Sequence, residues 1–220
     1  MYLRILDSKR ISLLQSLVQF PELEPFDLAG GTALSLQLGL RVSHDFDFFS
    51  TADFNKEHLL SCLQSAFTHL ETLQLVRGTC DVLIDGIQVS FFHYPYPRIA
   101  PSLTDPDVFP GLKLASIDDI AAMKLSAIGS RASRKDFYDL YQILHICVDF
   151  PPERLLDDVH RKFGETFDAT YMLMSLSYFR DAESEVLPEC FVKTDWEEIK
   201  SYFISLQPLL MELERKRFLP

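Results

Sequence analysis

Residues 29–50, AGGTALSLQLGLRVSHDFDFFS, hold two groups of side chains suited to one kind of chemistry. In an extended strand alternate side chains point the same way. Asp45 and Asp47 therefore present both carboxylates to one face while Phe46 points to the other. Two hard oxygen donors side by side repel each other unless a cation lies between them, and Mg²⁺ favours one or two carboxylates plus substrate phosphates. Upstream, Gly30-Gly31 at a strand-to-helix turn lets backbone N–H groups approach phosphate oxygens, and the N-terminus of the following helix adds a favourable dipole. Thr32 offers a hydroxyl to the same anion. An ordinary tight turn explains the glycines alone, and two solvated aspartates explain a lone D-x-D. The order strand, Gly-Gly-Thr, short helix, loop, D-x-D strand is more specific than either half.

The elements that must position these groups are legible from periodicity. Residues 7–20 space Ile11, Leu14, Leu17 and Val18 along one helix face. PELEP breaks the chain, and FDLAGG is a short strand ending at the glycines. A helical turn or two follows at 32–38, then the DFDFFS strand, then an amphipathic helix over 52–71. TLQLVR, CDVLI and IQVSFFHY are strands, the last two joined by Asp85-Gly86, a strong hairpin signal. From about residue 116 the pattern is helical, with helices near 117–129, 134–147, 152–163 and 168–184, and one or two between 194 and 217. The fold class is α+β: a small mixed sheet flanked by helices over 1–115, then a helical half over 116–220.

Composition sets limits. Apolar residues make up 47% of the 220, with 18 Phe and 8 Tyr, enough for a real core and against disorder. Lys and Arg number 21 against 32 Asp and Glu, a net charge of −11. A broadly acidic surface repels nucleic acid, so RNA handling requires a local basic concentration such as KLSAIGSRASRK, 124–135. Cys62, Cys80, Cys147 and Cys190 are scattered and are taken as buried or half-buried thiols in a reducing cytosol, without C-x-x-C or His-paired metal spacing. MYLRILDSKR lacks the apolar core of a signal peptide and no run reaches membrane-spanning length, so a soluble, cytoplasmic protein with no membrane partner is expected.

GGTALSLQLGLRVSHDFDFF resembles the first motif of the polymerase-β-like nucleotidyltransferases. Its GGTAL, Arg-x-Ser and DFDFF resemble in particular the AbiEii/AbiGii abortive-infection toxin family. DIAAMKLSAIGSRASRKDFYDLYQIL, 119–144, is similar to that family's D-x-x-x-x-K and K-D-x-x-D-L elements, in the same order. The resemblance implies the nucleotidyltransferase fold, with the helical half completing the active-site cleft. It implies that Gly30, Gly31 and Thr32 hold the phosphates of an NTP, with Arg41 and Ser43 orienting the triphosphate. It also implies that Asp45 and Asp47 hold Mg²⁺ or Mn²⁺, that Lys124 meets phosphate, and that Asp136 completes the catalytic centre. The chemistry is then phosphoryl transfer, where positioning and charge neutralisation dominate. The acceptor is an RNA (such as a tRNA) end or a protein hydroxyl, and the natural counterpart is an antitoxin.

Simpler roles stand beside these. Ser116-x-x-Asp119 and Ser133-x-x-Asp136 are helix starts, so Asp119 and Asp136 are also capping candidates. Lys124 lies in an apolar helix, where a buried ammonium requires an anionic partner. Asp139 shares a face with Asp136 and is also suited to pairing with Arg134 or Lys135. Arg131 and Arg134 divide between acceptor or phosphate contact and solvated charge. One position departs from the family. Polymerase-β-like enzymes place a third carboxylate on a later strand, and here that position is Ser90, with Asp81 or Asp85 as hairpin substitutes. The competing function is therefore a weakly active or inactive nucleotide-binding or protein-interaction module of the same fold. An aspartate-nucleophile phosphatase is disfavoured, because RVSH precedes the first Asp where that signature needs an apolar strand.

Overall fold

The structure is a computed structural model and describes residues 1–164 and 168–217. The chain divides into two compact units, one of residues 1–96 with 101–115 and one of 97–100 with 116–220.

The first unit contains a mixed sheet of seven strands among the described residues. These are β1 (Asp27–Leu28), β2 (Phe46–Ser50), β3 (Leu70–Val76), β4 (Thr79–Ile84), β5 (Ile87–His93), β6 (Leu103–Thr104) and β7 (Lys113–Leu114), in the order β3-β4-β5-β2-β1-β7-β6. Strands β2 and β5 run parallel, as do β1 and β7; the other neighbours are antiparallel. The pleat separates two faces. Cys80, Val82 and Ile84 of β4, Val89 and Phe91 of β5, and Phe46 and Phe48 of β2 are buried together, with the Phe48 and Phe91 rings stacked 5.3 Å apart. The alternate residues, Asp81, Ser90 and Asp47 among them, face the other way. Three helices accompany the sheet: α1 (Ser8–Leu17), α2 (Gly30–Leu38) and α3 (Lys56–Ala66). The four cysteines are free thiols, Cys80 buried and the rest half-buried. Cys62 does follow His58 by one turn on α3, a His-paired spacing that the scattered cysteine pattern conceals.

Local chemistry explains where the elements depart from periodicity. The helix expected from residue 52 starts at Lys56, because the Asn55 side chain caps it by accepting from His58 N at 2.9 Å. It ends at Ala66, where Phe67 turns extended and leads into β3. The β4–β5 turn has positive φ at both Asp85 (52°) and Gly86 (79°), the conformation that matches strand twist. Two short strands, β6 and β7, lack any hydrophobic run to announce them.

The second unit holds α4 (Ile117–Arg131), α5 (Arg134–Ile146), α6 (Pro152–Phe163), α7 (Ala169–Ser175) and α8 (Trp196–Arg217). Helix α4 is buried on most sides, through Ile120, Ala121, Ala122, Leu125, Ile128 and Gly129. The helix expected over 168–184 stops at Ser175. There Leu176 N and Tyr178 N turn to carbonyls three residues back, and the Ser175 and Ser177 hydroxyls capture the carbonyls of Met172 and Met174. A separate 3-10 turn covers Ala182–Ser184. Among the described residues no helix is long and apolar enough to cross a membrane.

Candidate active site

Strand β1 delivers the chain to Ala29, whose N–H bonds to the Asp47 carbonyl at 2.9 Å and so ties the start of α2 to β2. Gly30 then takes φ +64°, a left-handed conformation that L side chains rarely adopt. A Cβ built there would stand 3.1 Å from Asp47 Oδ2. Glycine thus lets the α2 backbone approach a carboxylate closely. No side chain caps α2, so its first-turn N–H groups are of the kind an anion satisfies.

The loop from α2 to β2 is pinned rather than loose. Thr32 and Ser43 are buried and their hydroxyls lie 2.6 Å apart, and Thr32 also donates to the Asp45 carbonyl. Arg10 Nε holds the His44 carbonyl at 2.8 Å, and Ser43 N donates to the Ile5 carbonyl at 3.3 Å. Arg41 is buried, with Nη1 on the Val42 carbonyl at 3.3 Å. These bonds fix the backbone on both sides of Asp45 while its own side chain is exposed and that of Asp47 is half-buried.

The register of the sheet shows which residues share a face with Asp47. Asp47 pairs with Ser90 across β2–β5, and Ser90 pairs with Asp81 across β4–β5. Residues directly opposite share a face, so Asp47, Ser90 and Asp81 form one row across three strands. Ser90 is buried and donates to Asp81 Oδ1 at 2.7 Å. Gln88 Nε2 reaches both Asp81 oxygens at 3.2 and 3.1 Å. The signal for this was present: a two-residue turn at Asp85-Gly86 pairs Ile84 with Ile87 and thereby Asp81 with Ser90. Asp85 itself sits in the turn.

The remaining residues singled out from sequence lie in the helical unit. Lys124 is buried between Asp136 at 2.9 Å and Asp139 at 2.6 Å, and Arg131 grips Asp136 through Nε at 2.8 Å and Nη2 at 3.0 Å. Asp139 therefore pairs with Lys124, because α4 and α5 turn these faces toward each other. Burial raises the Asp136 pKa, but Lys124 and Arg131 outweigh it and hold the carboxyl at about 2. Ser133 does not cap α5. Its hydroxyl donates to Glu185 Oε2 at 2.6 Å, and the same oxygen accepts from Arg134 N at 2.9 Å, so Glu185 supplies the cap. The Arg134 guanidinium bonds the Glu185 carbonyl at 2.7 Å and lies over the Trp196 ring. Most of the basic stretch expected to meet RNA is thus engaged inside its own unit.

Asp119 does more than cap. It accepts from Ile99 N at 3.1 Å, from the Ser116 hydroxyl at 2.6 Å and from Lys162 Nζ at 2.6 Å, while Asp119 N donates to Ser116 Oγ, which caps the helix. Lys162 also reaches the Pro97 carbonyl at 3.1 Å. Nothing in the local sequence announces Lys162, which is far from Asp119 along the chain.

The mixed sheet with its flanking helices is a fold shared with solved nucleotidyltransferase structures. The nucleotidyltransferase toxin MenT4 (Rv2826c) of Mycobacterium tuberculosis H37Rv superposes with a TM-score of 0.59 at 17% identity, over 94% of this chain and 84% of that one. An H. pylori chain ascribed to the nucleotidyltransferases superposes with a TM-score of 0.52 at 18% identity, over 96% and 98%. An uncharacterized Aquifex aeolicus (strain VF5) protein, aq_aa25, is 33% identical over 202 residues, 91% of this chain and 95% of that protein. Residues 12–218 match the family described as nucleotidyl transferase AbiEii toxin, Type IV TA system. The chain belongs to that family and is a nucleotidyltransferase of the toxin–antitoxin class.

Proposed function

We propose that this chain transfers a nucleotide from an NTP to a hydroxyl of an RNA or protein acceptor, using Mg²⁺ or Mn²⁺ held by Asp45 and Asp47. The observation that carries this is the approach of Gly30 to the Asp47 carboxylate, which puts an uncapped helix start and a hard oxygen donor side by side. The donor set fits a hard divalent ion. Such an ion, when bound, neutralises charge on the transferring phosphates.

The chain's own residues then divide the work. Backbone N–H groups at Gly30 and Gly31 bind phosphate. Thr32, Ser43 and Arg41, all buried, hold the loop that presents Asp45 and orient the triphosphate through it. Ser90 and Asp81 together replace the third carboxylate. The acceptor hydroxyl gives its proton to Ser90 Oγ as Ser90 passes its own to Asp81 Oδ1, and the acceptor oxygen attacks the α-phosphorus of the NTP while the bond to the bridging oxygen breaks and pyrophosphate leaves. Lys124 and Asp136 come to the site by resemblance to the family motif. Their ion pair supports a role in which Asp136 keeps the Lys124 ammonium charged and fixed for phosphate. Arg131, whose side chain is largely exposed although its guanidinium also holds Asp136, is better suited than Arg134 to an acceptor or phosphate contact. Family membership implies an antitoxin counterpart.

The test is to incubate the protein with each labelled NTP, Mg²⁺, and either total RNA or total protein. One acceptor class should become labelled, and Asp47→Ala should abolish labelling while the variant remains folded. Absence of labelling with every NTP and both acceptor pools, or labelling unchanged in Asp47→Ala, overturns the proposal.

A further inference from the structure

A second set of metal-ligating side chains lies in the first unit, outside the D-x-D site. His58 and Cys62 are one turn apart on α3, and Glu22 comes from the 3-10 turn Pro21–Leu23 packed beside it. Their donor atoms converge. Cys62 Sγ is 3.4 Å from Glu22 Oε1 and 3.8 Å from His58 Nε2, and His58 Nε2 is 3.3 Å from Glu22 Oε1. Zinc, with bonds of about 2.3 Å to sulfur and about 2.0–2.2 Å to nitrogen and oxygen, gives tetrahedral ligand-to-ligand edges of about 3.4–3.6 Å. The three observed edges bracket those values. The ligands therefore stand close to where a tetrahedral ion would need them.

Neighbouring contacts keep the two elements at this spacing. Phe20, just before the 3-10 turn, stacks on Phe67, just after α3, with centroids 5.8 Å apart. Leu23 on one element and Leu59 and Leu63 on the other are buried. Glu22 and Cys62 are half-buried and His58 is exposed, so an ion has a way in.

We infer that Glu22, His58 and Cys62 form a zinc site distinct from the Asp45/Asp47 pair. The ligand chemistry separates the two sites. Thiolate and imidazole select borderline and soft ions such as Zn²⁺, whereas paired carboxylates select Mg²⁺ or Mn²⁺. Three protein ligands leave a fourth position, filled by water or by a donor from another molecule. The bound ion clips the Pro21–Leu23 turn to α3, and because binding is linked to the folded state it raises the melting temperature. This site does not depend on the function proposed above.

Cobalt(II) substituting for zinc reports a thiolate ligand through its charge-transfer absorption and tetrahedral coordination through intense visible bands. Metal-free full-length protein titrated with Co²⁺ should develop both features at one equivalent, and Zn²⁺ should bleach them. Cys62→Ser should remove the charge-transfer band. His58→Ala should weaken Zn²⁺ binding at least about tenfold, the loss typical even of outer-shell partners. Asp47→Asn should retain the cobalt spectrum. Neither substitution at 58 or 62 touches the buried core, and melting curves in chelator confirm folding. The inference is overturned if the wild-type protein shows no thiolate-to-cobalt band. It is equally overturned if that band survives Cys62→Ser, or if Asp47→Asn abolishes it.

Discussion

The Asp47 carboxylate occupies space that a side chain at Gly30 would contest, its Oδ2 lying 3.1 Å from the Cβ position. Gly30→Ala meets both that crowding and the strain of φ +64°. We expect a stability loss of about 1–2 kcal/mol, and a loss of nucleotide transfer much larger than the fraction unfolded explains. Parallel thermal melts and NTP-labelling assays check this. Activity that falls only in proportion to folding would remove Gly30 from the phosphate-binding turn.

Ser90 and Asp81 offer a second comparison. Asp81→Asn leaves an amide that still accepts the Ser90 hydroxyl but no longer takes a proton. We expect kcat to fall by about 10²–10⁴, the range of general base catalysis, with NTP affinity by calorimetry little changed. Ser90→Ala should lower kcat as well, and the double variant should be no worse than Asp81→Asn alone. Additive losses would show that the two residues act separately.

The Lys124 cluster makes a stability prediction. Lys124→Met leaves Asp136 and Asp139 buried with one fewer cation, and removing one partner of a buried pair typically costs about 3–5 kcal/mol. The pH dependence follows from Asp136, whose folded pKa of about 2 lies below its ordinary value of 3.8. Its contribution, about 2 kcal/mol, is fully present above pH 3.8 and is lost as pH falls toward 2. Chemical denaturation of the wild-type and Asp136→Asn proteins between pH 2 and 6 should converge at the acid end. Curves that stay parallel would contradict this.

Asp158 on α6 behaves oppositely. Burial, and then Asp118 beside it, push its carboxyl up to about 6, with Arg154 and Arg161 opposing. A raised carboxyl favours the folded state while protonated, so the penalty grows as pH rises from 3.8 through 6. Asp158→Asn should therefore match the wild type near pH 4 and exceed it at pH 8, by at most about 3 kcal/mol, with solvent screening reducing the gain. A variant less stable than wild type at pH 8 would show that its ion pairs with Arg154 and Arg161 dominate.

Much of this was legible in the residue pattern, for reasons that differ by element. Alternation revealed the sheet strands, and two glycines followed by D-x-D marked the turn and the strand that carries Asp47, although that strand starts at Phe46 and leaves Asp45 in the loop just before it. The pairing of Asp81 with Ser90 was recoverable from the hairpin turn, because a two-residue loop fixes register. Strands β6 and β7 were not, since two-residue strands hold no period. Neither was the Asp119–Lys162 pair, nor the meeting of Glu22 with His58 and Cys62. Tertiary packing brings these residues together, and periodicity within one element carries no trace of it.

The affiliation of residues 97–100 has a bearing on how such proteins can be rearranged. Those four residues belong with the helices although the chain returns to the sheet at 101–115 before the helices begin. The N–H groups of Ile99 and Ala100 are partners of Asp119, and the Pro97 carbonyl is a partner of Lys162. A genetic crossover between residues 115 and 116 would inherit every helix and leave these backbone partners behind on the other fragment. The helical half is consequently not a cassette that a single cut can transplant. Shuffling among relatives should preserve 97–100 and the helices together, and chimaeras that carry over both segments should fold where single-junction chimaeras do not.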